Sequence, residues 1–192
     1  MFCIRINKNL SLPYSFILRS YFLIENLLFK NIISKFAKPY NEKSDATRCR
    51  CILLNKDEEK LALIKRTKQN IDIYYVFPGG GVEKQDKNFI DTMYREINEE
   101  VGLEEEKVKL IKDFVLEDIG IFKNEVKEEH FKYLTFLGVA NTNAPLKIAS
   151  AAPELTRNNG IYEPVWVPLE DIEKLNVVHT YLKNVVVECL KK

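Results

Sequence analysis

The sequence predicts an α/β sandwich, because strand-like and helix-like segments follow one another from residue 48 to the end of the chain. Two features carry this prediction: apolar runs of strand length bounded by turn residues, and segments whose apolar residues recur at helical spacing. At 192 residues, with 46% hydrophobic and 30% charged residues, the chain has the composition of an ordinary globular domain. Residues 1–45 differ from this pattern, so we predict an N-terminal extension and linker, followed by one domain over residues 46–192.

Within the extension, Ser15–Phe36 is predicted to form an amphipathic helix, since its apolar residues form a broad stripe opposite Arg19, Asn26 and Lys30. Charged residues interrupt this stripe before the roughly 20 apolar residues that a membrane span requires, so membrane insertion is not expected. Three interpretations stay open: a helix docked on the domain or on a second subunit, a membrane-surface helix or organellar transit segment, and a mis-assigned protein start. Pro39–Thr47 is predicted to be the linker.

The domain begins with a predicted hairpin, in which strands Arg48–Leu54 and Leu61–Arg66 flank a charged turn. A third strand, Ile71–Phe77, leads into a proline and consecutive glycines. Further strands are predicted at Val108–Leu116, His130–Ala140 and Tyr162–Val167, and helices at Leu169–Leu175 and Thr180–Leu190.

The remaining helix is predicted between the glycines and Gly102, with Asn88 as its N-cap and Asp91 as the acid of a weak capping box. Gly102 is expected to end it in a left-handed conformation. Its core-facing side is predicted from residues at near-helical spacing: Ile90, Met93, Ile97 and Val101. We therefore expect its carboxylates to lie on the side opposite the buried one.

Glu96, Glu99 and Glu100 are expected to share one face of this helix. Carboxylates so close repel each other by a few tenths of a kcal/mol per pair, and a cation removes that cost. Oxygen ligands with no His or Cys nearby suit hard ions, so magnesium or manganese is predicted. Taken alone, the helix would be a solvated acidic surface. The glycines at 79, 80 and 81 favour a phosphate-plus-metal site instead, because they allow close approach to an anion and positive φ angles.

This segment resembles the Nudix box, the signature of hydrolases that cut diphosphates linked to another moiety. The second half of the box is matched by Arg95, Glu96, Ile97, Glu99, Glu100, Gly102 and Leu103. In the first half, one register places the box glycine at Gly81 and its glutamate at Lys87. The preferred register uses Gly80 and Asp86, which keeps an acid in place and leaves one extra residue before Arg95. The resemblance implies a Nudix-type α/β/α sandwich with a mixed β-sheet.

The resemblance also implies roles for the residues of the box. Glu96 and Glu100 would be metal ligands, Glu99 a ligand or the group that orients the attacking water, and Arg95 would hold the carboxylate cluster in place. Gly79, Gly80 and Gly81 would form the substrate and phosphate loop. Family members often add a distant acid, for which the candidates are Glu128, Glu129 and Glu154. Base stacking by Tyr74, Tyr75 or Phe131 competes with the interpretation that these aromatic residues belong to the core.

The expected partner is a nucleotide or nucleoside diphosphate derivative, by default a nucleoside triphosphate that a MutT-like pyrophosphohydrolase would cleave, with oxidised nucleotides among the candidates. Signatures of the ADP-ribose and dinucleoside-polyphosphate subgroups are missing, because Asp118, Ile119, Gly120 and Ile121 occupy their positions. The alternative is a nucleotide-binding regulatory module whose altered box no longer supports turnover. Intact Glu96, Glu99 and Glu100 favour the enzyme.

Composition excludes several other classes of protein. A net charge of +1, without a basic aromatic-rich cluster, argues against nucleic-acid binding. Four cysteines do not make a disulfide framework at this length, and Cys49 and Cys51 are predicted to point inward from one strand face. A reducing cytoplasm is therefore expected, while the N-terminal segment leaves organellar targeting open, and a homodimer stays open as well.

Overall fold

A computed structural model describes residues 26–68, 71–123, 128–148 and 160–191 of the chain. The helices in these ranges are α1 (Leu27–Lys35), α2 (Phe89–Val101) and α3 (Thr180–Leu190). The strands are β1 (Lys38–Pro39), β2 (Arg48–Leu54), β3 (Lys60–Lys68), β4 (Ile71–Val76), β5 (Val108–Lys123), β6 (Glu128–Ala140) and β7 (Gly160–Pro168). Short 3₁₀ helices lie at Glu105–Lys107 and Leu169–Lys174. None of the described helices is long and apolar enough to cross a membrane.

The strands form one mixed sheet in the order β1-β5-β6-β2-β3-β4, with β7 paired to β3. Strands β2 and β6 run parallel, with Cys49 opposite Leu134, and the other strand pairs are antiparallel. The predicted hairpin is present, since Leu54 lies opposite Leu61 across the turn between β2 and β3.

Helices cover both faces of the sheet, which confirms the predicted α/β/α sandwich. On one face, Met93 and Ile97 of α2 pack with Cys49 and Cys51 of β2, all fully buried. On the other face, residues of α1 and α3 pack against Ile52 and its neighbours in β2 and β3. The alternation of side chains along β2 assigns the two thiols to one face, as the sequence predicts.

Helix α1 belongs to the same core as the domain. Asn26 caps it by accepting a hydrogen bond from the Phe29 N–H at 2.9 Å, and Asn31 donates to the Cys189 carbonyl of α3 at 3.1 Å. The buried side of α1 consists of Leu28, Phe29, Ile32 and Ile33. The described part of the amphipathic segment is thus docked, as one of the three interpretations expects, while the part before Asn26 lies outside the described residues.

The segment predicted as a linker begins as a strand. Lys38 and Pro39 pair with Val115 and Phe114 of β5, and Tyr40 donates its backbone N–H to the Asp113 carbonyl at 2.9 Å. Proline lacks the N–H that a central strand needs, but an edge strand tolerates it. The extended backbone before Pro39 therefore adds an edge strand to the sheet.

Candidate active site

Helix α2 starts and ends at the predicted caps. The Asn88 side chain accepts hydrogen bonds from the N–H groups of Ile90 and Asp91, both at 2.9 Å. The Asp91 carboxylate accepts from the Lys87 N–H at 3.2 Å, one residue before the partner that a capping box requires. At the other end Gly102 has φ of 70°, the predicted left-handed cap. These local signals fix the start and end of the carboxylate-bearing helix.

Glu96 and Glu100 are each only 7% exposed. The expectation that the carboxylates lie on the side of the helix opposite its buried side is therefore wrong for these two residues. The glycine loop packs down on them: the Gly79 N–H donates to Glu100 Oε2 at 2.8 Å, and Gly80 lies directly against the Glu96 carboxylate. Glu99 keeps 44% of its side chain exposed. Loop and helix therefore enclose two carboxylates and leave the third at the rim.

The enclosed carboxylates are held in an unfavourable electrostatic environment. Burial raises the pKa of Glu100 to about 8; the Gly79 N–H opposes this shift and the charge of Glu96 adds to it. Burial also raises the pKa of Glu96, against the opposing charge of Arg95. Charging both groups together is costly in a low-dielectric site, and a bound cation would offset that cost.

Arg95 connects the helix to the loop. Its guanidinium donates to Glu96 Oε1 at 2.9 Å, to Glu99 Oε2 at 3.2 Å and to the Gly81 carbonyl at 2.8 Å. Through Nε and one terminal nitrogen it also forms a forked pair with Asp86, at 3.1 and 3.0 Å. A forked arginine–carboxylate pair fixes orientation as well as distance. The preferred register takes Asp86 as the acid of the box. Asp86 is in direct contact with Arg95, although this register leaves one extra residue between them.

Asp86 is held firmly as the partner of Arg95. It accepts further hydrogen bonds from the Thr92 hydroxyl and the Glu83 N–H, both at 2.9 Å. Burial alone would raise its pKa, but the hydrogen bonds from Arg95 and Glu83 outweigh this and lower it. Asp86 is therefore a charged anchor in the loop rather than a group free to take up a proton.

Two of the three loop glycines are required, for different reasons. Gly79 has φ of 147°, and a Cβ there would lie 2.1 Å from the Cys49 carbonyl oxygen. A Cβ at Gly80 would lie 2.3 Å from Glu96 Oε1, whereas one at Gly81 would meet nothing within 4 Å. The predicted positive φ thus holds for Gly79, while Gly80 is required by its contact with a carboxylate.

The donor chemistry fits a hard divalent ion. Among the described residues, no group of three His, Cys, Asp or Glu side chains is arranged to hold a metal together. Arg95 donates hydrogen bonds to both Glu96 and Glu99. Glu96 and Glu100 supply two carboxylates, and magnesium usually takes only one or two from the protein, filling its other positions with water and substrate phosphates.

A family model for the NUDIX domain matches residues 46–186. The chain belongs to the Nudix family. Its helix α2 and glycine loop carry the Nudix box, and by family the protein is a hydrolase acting on nucleotide pyrophosphate bonds. A search among curated proteins returned no match.

Solved structures share the Nudix fold at low sequence identity. The E. coli dihydroneopterin triphosphate pyrophosphohydrolase is 10% identical with a TM-score of 0.52, over 73% of this chain and 92% of its own. The NUDIX domain of Shewanella oneidensis NrtR, complexed with ADP ribose, is 16% identical with a TM-score of 0.51, over 79% and 94%. A C. elegans Ap4A hydrolase is 14% identical with a TM-score of 0.50, over 74% and 93%. These likenesses support the fold.

The candidates outside the Nudix box have different positions. Glu128 and Glu129 lie in β6, opposite Lys123 and Phe122 of β5, and Glu154 lies outside the described residues. Tyr74 and Tyr75 are partly buried against the two cores, as the core interpretation expects. Phe131 lies under the guanidinium of Arg48, 4.4 Å from the ring centroid. A further acid for the metal remains a prediction.

One basic side chain close to the box, that of Arg66, was not predicted from the sequence. Arg66, near the end of β3, lies 4.8 Å from the centroid of the Tyr162 ring, and its charge acts to lower the pKa of Glu100. Its Nε is buried without a hydrogen-bond partner among the described residues. The signal in the sequence was weak, because a basic residue at a strand end is usually solvated.

Proposed function

We propose that this Nudix hydrolase is a MutT-like nucleoside triphosphate pyrophosphohydrolase that depends on Mg²⁺ or Mn²⁺. The observation that carries the proposal is the pair of buried carboxylates, Glu96 and Glu100, enclosed under the glycine loop. Two like charges in one buried place favour a divalent cation, and oxygen-only donors favour a hard one. Oxidised nucleotides remain among the candidate substrates.

Each residue of the site has a proposed task. Glu96 and Glu100 hold the ion, which when bound neutralises phosphate charge and lowers the pKa of a water. Glu99, at the rim, orients the attacking water. Arg95 is a positioning residue, because it ties the helix carboxylates to the loop through Asp86. Arg66 offers its guanidinium to the phosphate oxygens of the substrate.

The test is an assay of the protein against a panel of nucleoside triphosphates, sugar nucleotides and ADP-ribose. The release of phosphate and of pyrophosphate is measured for each substrate. We expect pyrophosphate from one or more triphosphates in the presence of magnesium or manganese, and loss of that activity in excess chelator. Full activity in chelator would overturn the proposed metal dependence. Nucleotide binding without turnover of any member would support the regulatory-module alternative, although the intact Asp86–Arg95 fork argues against it.

The cysteines support a cytoplasmic location. Cys49, Cys51 and Cys189 are free thiols, and all three are buried. Free buried thiols fit a reducing compartment, where disulfides are rare.

A further inference from the structure

Strands β5 and β6 continue beyond the rest of the sheet as a two-stranded ribbon. Residues 116–123 of β5 lie opposite residues 128–135 of β6 in one continuous register. Strand β1 pairs with β5 only at Phe114 and Val115. Among the described residues, the outer edge of β5 from Glu117 to Lys123 therefore carries no backbone hydrogen bond to another strand.

Three other edges of the sheet are protected against pairing with a further strand. Proline, which lacks an N–H to donate, lies in β1 at Pro39 and in β7 at Pro164. The edge of β4 is covered by a following segment, since the Tyr75 N–H donates to the Asn176 carbonyl at 2.9 Å. The outer edge of β5 between Glu117 and Lys123 has neither a proline nor a bulge, so it is open to pairing.

One face of the ribbon is apolar and open, while the other is held firmly. Ile119 and Ile121 are 69% and 62% exposed, and alternation along the strand puts them on the same face. On the other face, a Cβ at Gly120 would lie 2.5 Å from Tyr133 Cε2, so the tyrosine ring covers this glycine. The Arg50 guanidinium stacks on that ring, 3.3 Å from its centroid. The ribbon is thus fixed on one face and unpartnered on the other among the described residues.

The free edge is self-complementary about Gly120. If two copies of the edge pair antiparallel across a two-fold axis at Gly120, residues equally far before and after it lie opposite each other. Ile119 then lies opposite Ile121 of the second copy, and Glu117 lies opposite Lys123 of the second copy. Branched apolar residues and residues of opposite charge are favourable cross-strand pairs.

We propose that the outer edge of β5, Glu117–Lys123, is a homodimer interface. Two copies join antiparallel across a two-fold axis at Gly120, and their ribbons form a four-stranded sheet in the order β6-β5-β5-β6. A third and a fourth strand stabilise a ribbon that is only marginally stable as an isolated hairpin. The occupant is a second copy rather than a different protein, because the charges and isoleucines of this edge match its own sequence in reverse. The inference does not depend on the proposed function.

Sedimentation velocity of the full chain, from about 1 to about 200 µM, measures the association. Pairing over seven residues gives an interface at the small end of stable ones, so we expect a reversible dimer with a dissociation constant in the micromolar range. Glu117→Lys and Lys123→Glu each place like charges opposite each other twice in the dimer. We expect each variant alone to dimerise at least about tenfold more weakly than wild type.

Mixing the two variants tests the register directly. In a dimer of one Glu117→Lys copy and one Lys123→Glu copy, both charge pairs are again of opposite sign. We therefore expect an equimolar mixture to recover dimers at close to the wild-type affinity. Glu104→Lys, which adds the same charge at an exposed residue away from the ribbon, is the control and should dimerise like wild type. Far-ultraviolet circular dichroism checks that each variant is folded.

Three results would overturn the proposal. Wild type that stays monomeric at about 200 µM would leave this edge to a partner of different sequence. A dimer of unchanged affinity in both charge variants would place the interface elsewhere on the surface. Weaker association in each variant without recovery in the mixture would contradict the antiparallel pairing about Gly120, because Glu117→Lys also removes the contact of Glu117 with Lys38 at 3.1 Å.

Discussion

Glu100→Gln should lower kcat by at least about 100-fold, as expected for the loss of a key electrostatic group. Glutamine keeps the shape of the side chain and an oxygen that can accept from the Gly79 N–H, but it cannot neutralise a divalent ion. Because Glu100 is buried beside Glu96, removing its charge also removes a repulsion. We therefore expect the melting temperature of the metal-free variant to equal or exceed that of metal-free wild type. Steady-state kinetics measure the change in kcat, and thermal melts of the same two proteins measure the change in stability.

Glu104→Gln is the matched control, since it makes the same change at an exposed residue just beyond the end of α2. Its turnover should stay within about twofold of wild type, as for most surface substitutions. Near-normal turnover in folded Glu100→Gln would contradict the proposed role of this carboxylate and support the binding-module alternative.

Gly80→Ala should reduce kcat/KM by at least about 100-fold, whereas Gly81→Ala should stay within about threefold of wild type. The added methyl at position 80 would lie 2.3 Å from Glu96 Oε1, so either the loop or the carboxylate must move. The same methyl at position 81 meets no atom within 4 Å. A displacement of about 1 Å in a catalytic site is enough for a loss of this size.

Circular dichroism melts of both glycine variants provide the control for folding. Equal activity of Gly80→Ala and Gly81→Ala would contradict the assignment of Gly80 as the residue that accommodates Glu96. A large loss in Gly81→Ala alone would show that the open space above that residue is used by the substrate.

The features that could best be predicted from the sequence are those that depend on residues close together in the chain. The caps of α2, Asn88 and Gly102, were found because their partners lie within one helical turn. Strand β5 was predicted to end at Leu116 but continues to Lys123, since its second half pairs with β6 and is not marked by apolar alternation. Pairing with β6, the next strand along the chain, decided that boundary.

The same reason explains which parts of the site were missed. The acidic residues of α2 could be assigned from their spacing, but their burial depends on how the glycine loop folds over them. Arg66, which was not predicted, contacts the ring of Tyr162, a residue of β7 that pairs with it across the sheet. Tertiary contacts of this kind leave no local pattern to recognise.

Calorimetric titration of Mn²⁺ into metal-free protein tests most directly whether Glu96 and Glu100 form a metal site. We expect wild type to bind the ion without substrate, and Glu96→Gln and Glu100→Gln to bind it at least about tenfold more weakly, because each loses one of the two enclosed carboxylates. Glu104→Gln should bind like wild type. Equal affinity in all four proteins would contradict a metal site at these carboxylates.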